Sequence, residues 1–256
     1  MNSAESTFKN EMIDYWSERS ETYGQQHQEE LLGEQKRRWQ EVIVNKLNSS
    51  SKPVRTILDI GTGPGFLSIL LAELGYEVTS IDMTNEMLAQ AQKNAGDLKD
   101  LIKWQIMDAQ ELQFETEQFD AIVTRNVTWN LENPEKAYQE WQRVLKTGGM
   151  LLNFDSNWYH YLYDEKVRET YEANRKKTQE LAVRDYYVDT NIDWMEKLAK
   201  EMPLSRISRP IWDQQLLQEY GFKSVIIHED INNDLLSEVQ KLNFQFSPIF
   251  LIAAKK

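Results

Sequence analysis

The densest group of residues able to hold a ligand is LDIGTGPGF, residues 58–66, where three of the chain's ten glycines fall within five positions. Glycine lets backbone approach a ligand closely, and a helix that begins there offers unpaired N–H groups. Asp82 closes the next apolar run, 21 residues after Gly61. A carboxylate so placed can accept both hydroxyls of a ribose. The loop departs from the dinucleotide fingerprint, which wants a third glycine five residues after the first: that position is Phe66, and Gly65 comes one residue early. Asp59 and Asp82 could instead cap helix N-termini. A second concentration is aromatic: Trp129, Trp158, Tyr159, Tyr161 and Tyr163 follow the fourth and fifth strand-like runs. They could cage a cationic amine, clasp a planar ring, or anchor the chain that follows.

The elements that must position these residues are read from hydrophobic period and from caps. Strands are expected over 54–60, 76–82, 102–108, 119–124 and 150–156, with helices over 66–74, 85–95 and 134–146 between them. Thr84 and Asn133 stand at N-cap positions, Pro134 at a first helical position, and Gly75, Gly96, Gly148 and Gly149 past helix ends. Strands alternating with helices imply an α/β fold with a doubly wound, mostly parallel sheet. Residues 1–52 carry a helical pattern that ends in the polar run 48–52. Residues 157–209 lack glycine and hold eight of the 28 aromatics. Alternation resumes with a helix from 211 and strands over 223–229 and 249–254. The expected organisation is an N-terminal helical lid (1–52), a ligand-binding core (53–156), a helical, aromatic insert (157–209) and the remainder of a seven-stranded sheet (210–256).

Five segments in this order, LDIGTGPGF, SIDMT (80–84), MDAQEL (107–112), FDAIVTRNVTWNL (119–131) and EWQRVLKTGG (140–149), resemble class I S-adenosylmethionine-dependent methyltransferases, near the ubiquinone/menaquinone-biosynthesis branch. The resemblance covers 54–156 in detail and the last 45 residues loosely. It implies that Gly61, Thr62 and Gly63 line the cofactor's methionine part, that Asp59 orients its ammonium and that Asp82 holds the ribose. It further implies Met83 against the adenine, Asp108 and Ala109 at the adenine's amino edge, and Asn126 facing the sulfonium with its backbone carbonyl. Thr147 stands where family members often carry proline. The family's N-terminal helices commonly fold over the cofactor, which makes His27 and Tyr23 candidate bases. His160, directly after the fifth strand, is another, and His228 a fourth. Trp129, Trp158 and Tyr159 become candidate walls of an acceptor pocket.

Methyl transfer from a sulfonium is an in-line displacement on an already activated electrophile, so a protein mainly positions the acceptor and excludes water; a base is needed only where the acceptor holds its proton. Absences narrow the acceptor. The chain has no cysteine, which removes thiolate nucleophiles, zinc clusters and disulfides, and no metal is expected. Lys and Arg number 29 against 41 Asp and Glu, a net charge of -12, so nucleic acid and anionic membranes are poor partners. Residues 157–209 hold ten acidic and ten basic side chains and offer no positive field. The first residues show no basic segment followed by an apolar one, and a cytoplasmic location is expected. The expectation is a methyl transfer from S-adenosylmethionine, leaving S-adenosylhomocysteine, to N or O of a small molecule, less readily to S or C. The alternatives are a catalytically silent S-adenosylmethionine binder and, against Phe66, an NAD-dependent oxidoreductase.

Overall fold

The computed structural model describes residues 3–187 and 190–256. Two helices open it, α1 (Ser3–Leu32) and α2 (Glu34–Leu47). The sheet elements then alternate: β1 (Thr56–Ile60), α3 (Phe66–Glu73), β2 (Glu77–Asp82), α4 (Asn85–Ala95), β3 (Ile102–Ile106), β4 (Phe119–Arg125), α5 (Pro134–Val144) and β5 (Leu145–Asp155). After these come α6 (Glu165–Glu180), α7 (Ile192–Ala199), α8 (Ile211–Glu219), β6 (Ser224–His228), α9 (Asn232–Leu235), α10 (Glu238–Phe244) and β7 (Phe250–Lys255). Seven strands form one sheet in the order β3-β2-β1-β4-β5-β7-β6. β7 runs antiparallel to both neighbours, and the remaining pairs are parallel. This is the doubly wound architecture that the alternation implied.

Each face of the sheet buries its own core. On one, Trp39 and Ile43 of α2 and Leu70 and Leu71 of α3 pack on Ile57, Val123 and Phe154. On the other, Tyr138, Trp141 and Val144 of α5 and Leu217 of α8 pack on Leu58, Ile122 and Leu151. Asn133 caps α5 as its position suggested, its Oδ1 accepting from the Lys136 N–H at 2.9 Å. Thr84 sits at the N-cap of α4 but bonds back to Asp82 rather than to the helix. Beyond shifts of one or two residues at element ends, two features differ from the sequence reading. β5 begins at Leu145, inside the expected helix, because Leu145 pairs with Phe119 before the register shifts. Residues 232–244 form two short helices where the sequence suggested no element.

A third, smaller cluster explains how the lid and the insert are held. Met12 and Tyr15 of α1 meet Met195, Leu198 and Ala199 of α7 over Trp129, which follows β4. Beneath it lies a wholly buried ionic knot. Arg209 Nη1 donates to Asp155 at 2.7 Å and Nη2 to Asp213 at 2.7 Å, and the Tyr138 hydroxyl donates to Asp213 at 2.6 Å. Both Arg209 pairs are fully shielded from water. Removing Arg209 leaves two buried carboxylates with no counter-charge, at about 3–5 kcal/mol. Arg209→Ala should therefore lower the melting temperature by about 6–20 °C in calorimetry, given roughly 2–4 °C per kcal/mol at this size; an unchanged melting point would show the knot to be dispensable.

Candidate active site

The C-terminal ends of β1, β2 and β4 open into a cleft of about 990 Å³, partly continuous with solvent. Its floor is the glycine loop. Gly61 has φ +63°, and a Cβ there would come within 2.4 Å of Val127 Cγ2, so the turn is open only to glycine. Gly65, at φ +88°, caps α3, and a Cβ there would meet Ala91 Cβ at 2.9 Å, which makes it the site of close approach between α3 and α4. Phe66 opens α3 and is 1% exposed; its ring packs on His27 and Trp39, filling the place where a dinucleotide loop needs a hydrogen atom.

Two buried carboxylates shape the loop. Asp59 accepts hydroxyl bonds from Thr62 at 2.7 Å and Ser68 at 2.6 Å, and burial pushes its carboxyl up to about 6 in spite of them. Asp82 accepts the Gly63 N–H at 2.9 Å, the Thr84 N–H at 3.0 Å and the Thr84 hydroxyl at 2.8 Å; burial raises its carboxyl too. Asp82 thus fastens the glycine loop to the start of α4, beyond anything its spacing announced. Asp108 accepts from the Gln110 N–H at 2.8 Å and pairs with Lys9 of α1. Burial opposes its charge, but Lys9 and Gln110 more than offset this and hold it below the ordinary carboxylate range.

Helix α1 roofs the cleft with one stripe, Lys9, Met12, Trp16, Tyr23 and His27, at helical spacing. At the far end of the cleft Tyr23, His27, Arg125 and Asn126 form a neck, and beyond it lies a second chamber of about 440 Å³, also partly continuous with solvent. Beside the neck Glu30 and Arg125 form a two-pronged pair, Nη1 to Oε2 at 2.7 Å and Nη2 to Oε1 at 3.1 Å. The guanidinium lies 4.6 Å from the Trp39 ring and 4.7 Å from the Phe66 ring. Gln240 of α10 gives Glu30 a third bond at 2.8 Å. Burial works against the Glu30 charge, but Arg125 overcomes it and keeps the carboxyl ionised.

Comparison with known proteins fits this geometry. Residues 58–153 match the methyltransferase-domain family. Over 103 residues the chain is 37% identical to phosphoethanolamine N-methyltransferase 2 of Caenorhabditis elegans, 40% of this chain and 24% of that protein. Over 213 residues it is 26% identical to glycine/sarcosine N-methyltransferase of Aphanothece halophytica, 75% of this chain and 80% of that one. Its fold resembles that of Haemonchus contortus phosphoethanolamine N-methyltransferase 2, solved with S-adenosyl-L-methionine, at a TM-score of 0.57 and 17% identity over 85% of this chain and 52% of that. Residues 58–153 are a class I S-adenosylmethionine-dependent methyltransferase domain.

Within the methyltransferase cleft the structure gathers Asp59, Gly61, Thr62, Gly63, Asp82, Met83, Asp108, Ala109 and Asn126, with Tyr23 and His27 above them. Asn126 differs in detail from the sequence reading: its carbonyl accepts the Trp129 indole N–H at 3.0 Å and its Oδ1 the Trp158 indole N–H at 3.2 Å. Trp158 lines the second chamber, whereas Trp129 and Tyr159 line neither cavity and pack on each other at 5.0 Å with their rings tilted by 37°, holding the insert to the core. His160 is not brought to the cleft. Its Nδ1 faces the Ser205 carbonyl at 3.1 Å, because the chain turns away from the sheet after Trp158. His228 meets Lys46 on the far side. The sequence does not mark Lys9, Trp16, Glu30, Arg125 or Gln240, since nothing local signals a residue that meets its partner from another element.

Asp59 sets a pH dependence of stability. Its folded value of about 6 lies above the ordinary 3.8, so its contribution is complete at pH below about 4 and is lost as pH rises through about 6. Relative to Asp59→Asn, wild type without ligand should lose stability on the order of 3 kcal/mol between pH 4 and 7. Denaturant unfolding of both proteins at several pH values reads this out; parallel curves would mean that Asp59 is not held protonated.

Proposed function

We propose that the protein transfers a methyl group from S-adenosylmethionine to nitrogen or oxygen of a small molecule held in the second chamber. The observation that carries this reading is the neck: the cleft that suits a nucleoside and the chamber behind it share Tyr23, His27, Arg125 and Asn126. S-adenosylmethionine, when bound, supplies a methyl group already activated on a sulfonium. The surrounding residues fit such a ligand. Asp82 keeps acceptor capacity for a ribose beyond its three bonds, Asp59 offers a buried carboxyl to an ammonium, and Met83 and Ala109 border the space for an adenine. Asp108 can take the adenine's amino edge once Lys9 gives way. Trp16 Nε1 and Asn130 Oδ1 lie beside the cleft, buried and without partners.

The chain's part in the chemistry is to position and to enclose. α1 covers the cleft with Met12, Trp16 and Tyr23 and keeps water from the electrophile, and Asn126 stands at the meeting point of the two spaces. His27 is a positioning residue rather than a base: burial first, and then Arg125, push its imidazole down to about 3, so it stays neutral. The small-molecule acceptor is supported by the small size of the chamber and by the net charge of -12, which sets a polyanion against the protein's field. No described helix is long and apolar enough to cross a membrane.

Ligand binding tests this directly. A ligand at 100 times its dissociation constant adds about 2.7 kcal/mol, so S-adenosylmethionine or S-adenosylhomocysteine should raise the melting temperature by about 5–11 °C and NAD should not. With radiolabelled S-adenosylmethionine and a fractionated cell extract, label should appear in the small-molecule fraction. A melting shift with no labelled product would mark a silent binder, and no shift with either sulfur nucleoside would end the proposal.

A further inference from the structure

Three aspartates line the outer cleft, and they are not served alike. Asp59 and Asp82 take their bonds from hydroxyls and N–H groups of the floor itself. Asp108 does not. Its Oδ1 accepts twice from Gln110, from the backbone N–H at 2.8 Å and from Nε2 at 3.2 Å, while its Oδ2 is held by Lys9 Nζ, 99 residues away on α1. Among the described residues, only this aspartate of the three is bonded from the roof. The pair therefore joins the two sides of the cleft at the end that suits an adenine, and a planar base passes between roof and floor only when it parts.

Helix α1 itself is not free to lift. Ser17 Oγ donates to Glu86 of α4 at 2.9 Å, Asn94 of α4 donates to the Gly24 carbonyl at 3.3 Å, Met12 and Tyr15 pack against α7, and Glu30 is paired with Arg125. Lys9 stands on the N-terminal side of all these anchors. Its side chain is 33% exposed, that of Asp108 19%, so an ammonium on a four-carbon stem can swing into water while the helix stays in place. The aspartate, on its short stem, cannot follow. Elsewhere the ligand-free cleft leaves polar atoms unpaired, Trp16 Nε1 and Asn130 Oδ1 among them, whereas Asp108 is already supplied. An amino group on a base and a lysine ammonium are both N–H donors, so one can replace the other at a carboxylate oxygen.

We propose that Lys9 is an internal competitor of the cofactor: in the ligand-free protein its ammonium takes the place at Asp108 that the adenine amino group takes in the complex, and it swings out to solvent as the cofactor binds. The inference rests on the methyltransferase reading above. The contact is autoinhibitory, since each binding event must first part an ion pair. A partly exposed pair is worth only about two- to fivefold in an equilibrium constant, so Lys9 tunes affinity without blocking the site. S-adenosylmethionine and S-adenosylhomocysteine carry the same adenine, so the lysine weakens both alike. Its return to Asp108 aids release of the product and does not sort one from the other.

Calorimetry with S-adenosylhomocysteine on the wild type, Lys9→Met, Lys9→Ala and Lys9→Arg reads the competition. The two neutral variants should bind about two- to fivefold more tightly than wild type, and Lys9→Arg, which keeps a cation, should bind as wild type does. A lysine that held the cofactor or merely braced the roof would give the opposite sign, so unchanged or weaker binding in either neutral variant overturns the proposal. Tightening of Lys9→Arg as large as theirs would trace the effect to the stem rather than the charge, and overturns it too. Displacement is read separately in the wild type, by acetylation with acetic anhydride and mass spectrometry. Lys9 should be acetylated faster with saturating S-adenosylhomocysteine than without it, against the other lysines as reference; an unchanged or slower rate overturns the proposal. The two levels stay apart. If S-adenosylhomocysteine binds the wild type and the neutral variants do not tighten, only the role of Lys9 is wrong; if it binds none of the four proteins, the methyltransferase reading fails and this inference with it.

Discussion

The shape of the site depends on one buried ion pair. Glu30 near the end of α1 and Arg125 at the end of β4 meet two-pronged, with their side chains about one-tenth exposed. The guanidinium is stacked against Trp39 of α2 and Phe66 of α3, and Gln240 of α10 braces the carboxylate. Four helices and a strand converge there. An unpaired buried charge costs several kcal/mol, so neither residue can leave without the other, and α1 is pinned at the mouth of the sheet. From that anchor its course across the cleft is set. The stripe from His27 back to Lys9 becomes the roof, and Arg125 becomes one wall of the neck that joins the outer cleft to the inner chamber.

The floor obeys the same economy of buried polar groups. Asp59 and Asp82 are kept from water and pay in raised carboxyl values, which the loop's hydroxyls and N–H groups only partly offset. Two such groups side by side in a cleft are stabilised best by a ligand that brings hydroxyls and an ammonium. The Lys9–Asp108 pair gives the roof a polar latch at the end opposite Arg125. A cofactor entering the cleft must take over what Lys9 supplies. The methyltransferase core thus holds its loop in a binding shape, while α1 is attached by contacts at both ends.

Much of this was legible in the chain because it is written locally. β1 and β2 are short β-branched runs, Asn133-Pro134 announces the start of α5, and the spacing from the glycine loop to Asp82 places both at neighbouring strand ends. What was not legible is whatever depends on meeting across distance. Glu30 and Arg125 are 95 residues apart, and Gln240 reaches Glu30 across 210. Among the histidines, type and position relative to strands did not separate His27 from His160; the direction in which the chain leaves β5 did. The aromatics after β5 divide in the same way, Trp158 into the chamber and Tyr159 into packing on Trp129. α9 and α10 escaped because a helix of four or seven residues carries too little period to be seen.

The central claim is that one roof divides a single opening into a cofactor cleft and an acceptor chamber, with transfer at the neck between them. A crystal structure grown with S-adenosylhomocysteine tests this most directly. The account predicts the adenosyl group in the outer cleft between Asp82 and Asp108, with the sulfur turned toward Tyr23, His27 and Asn126 and the inner chamber left free. A nucleoside lodged in the inner chamber, or a sulfur pointing away from the neck toward the β3 edge, would contradict it.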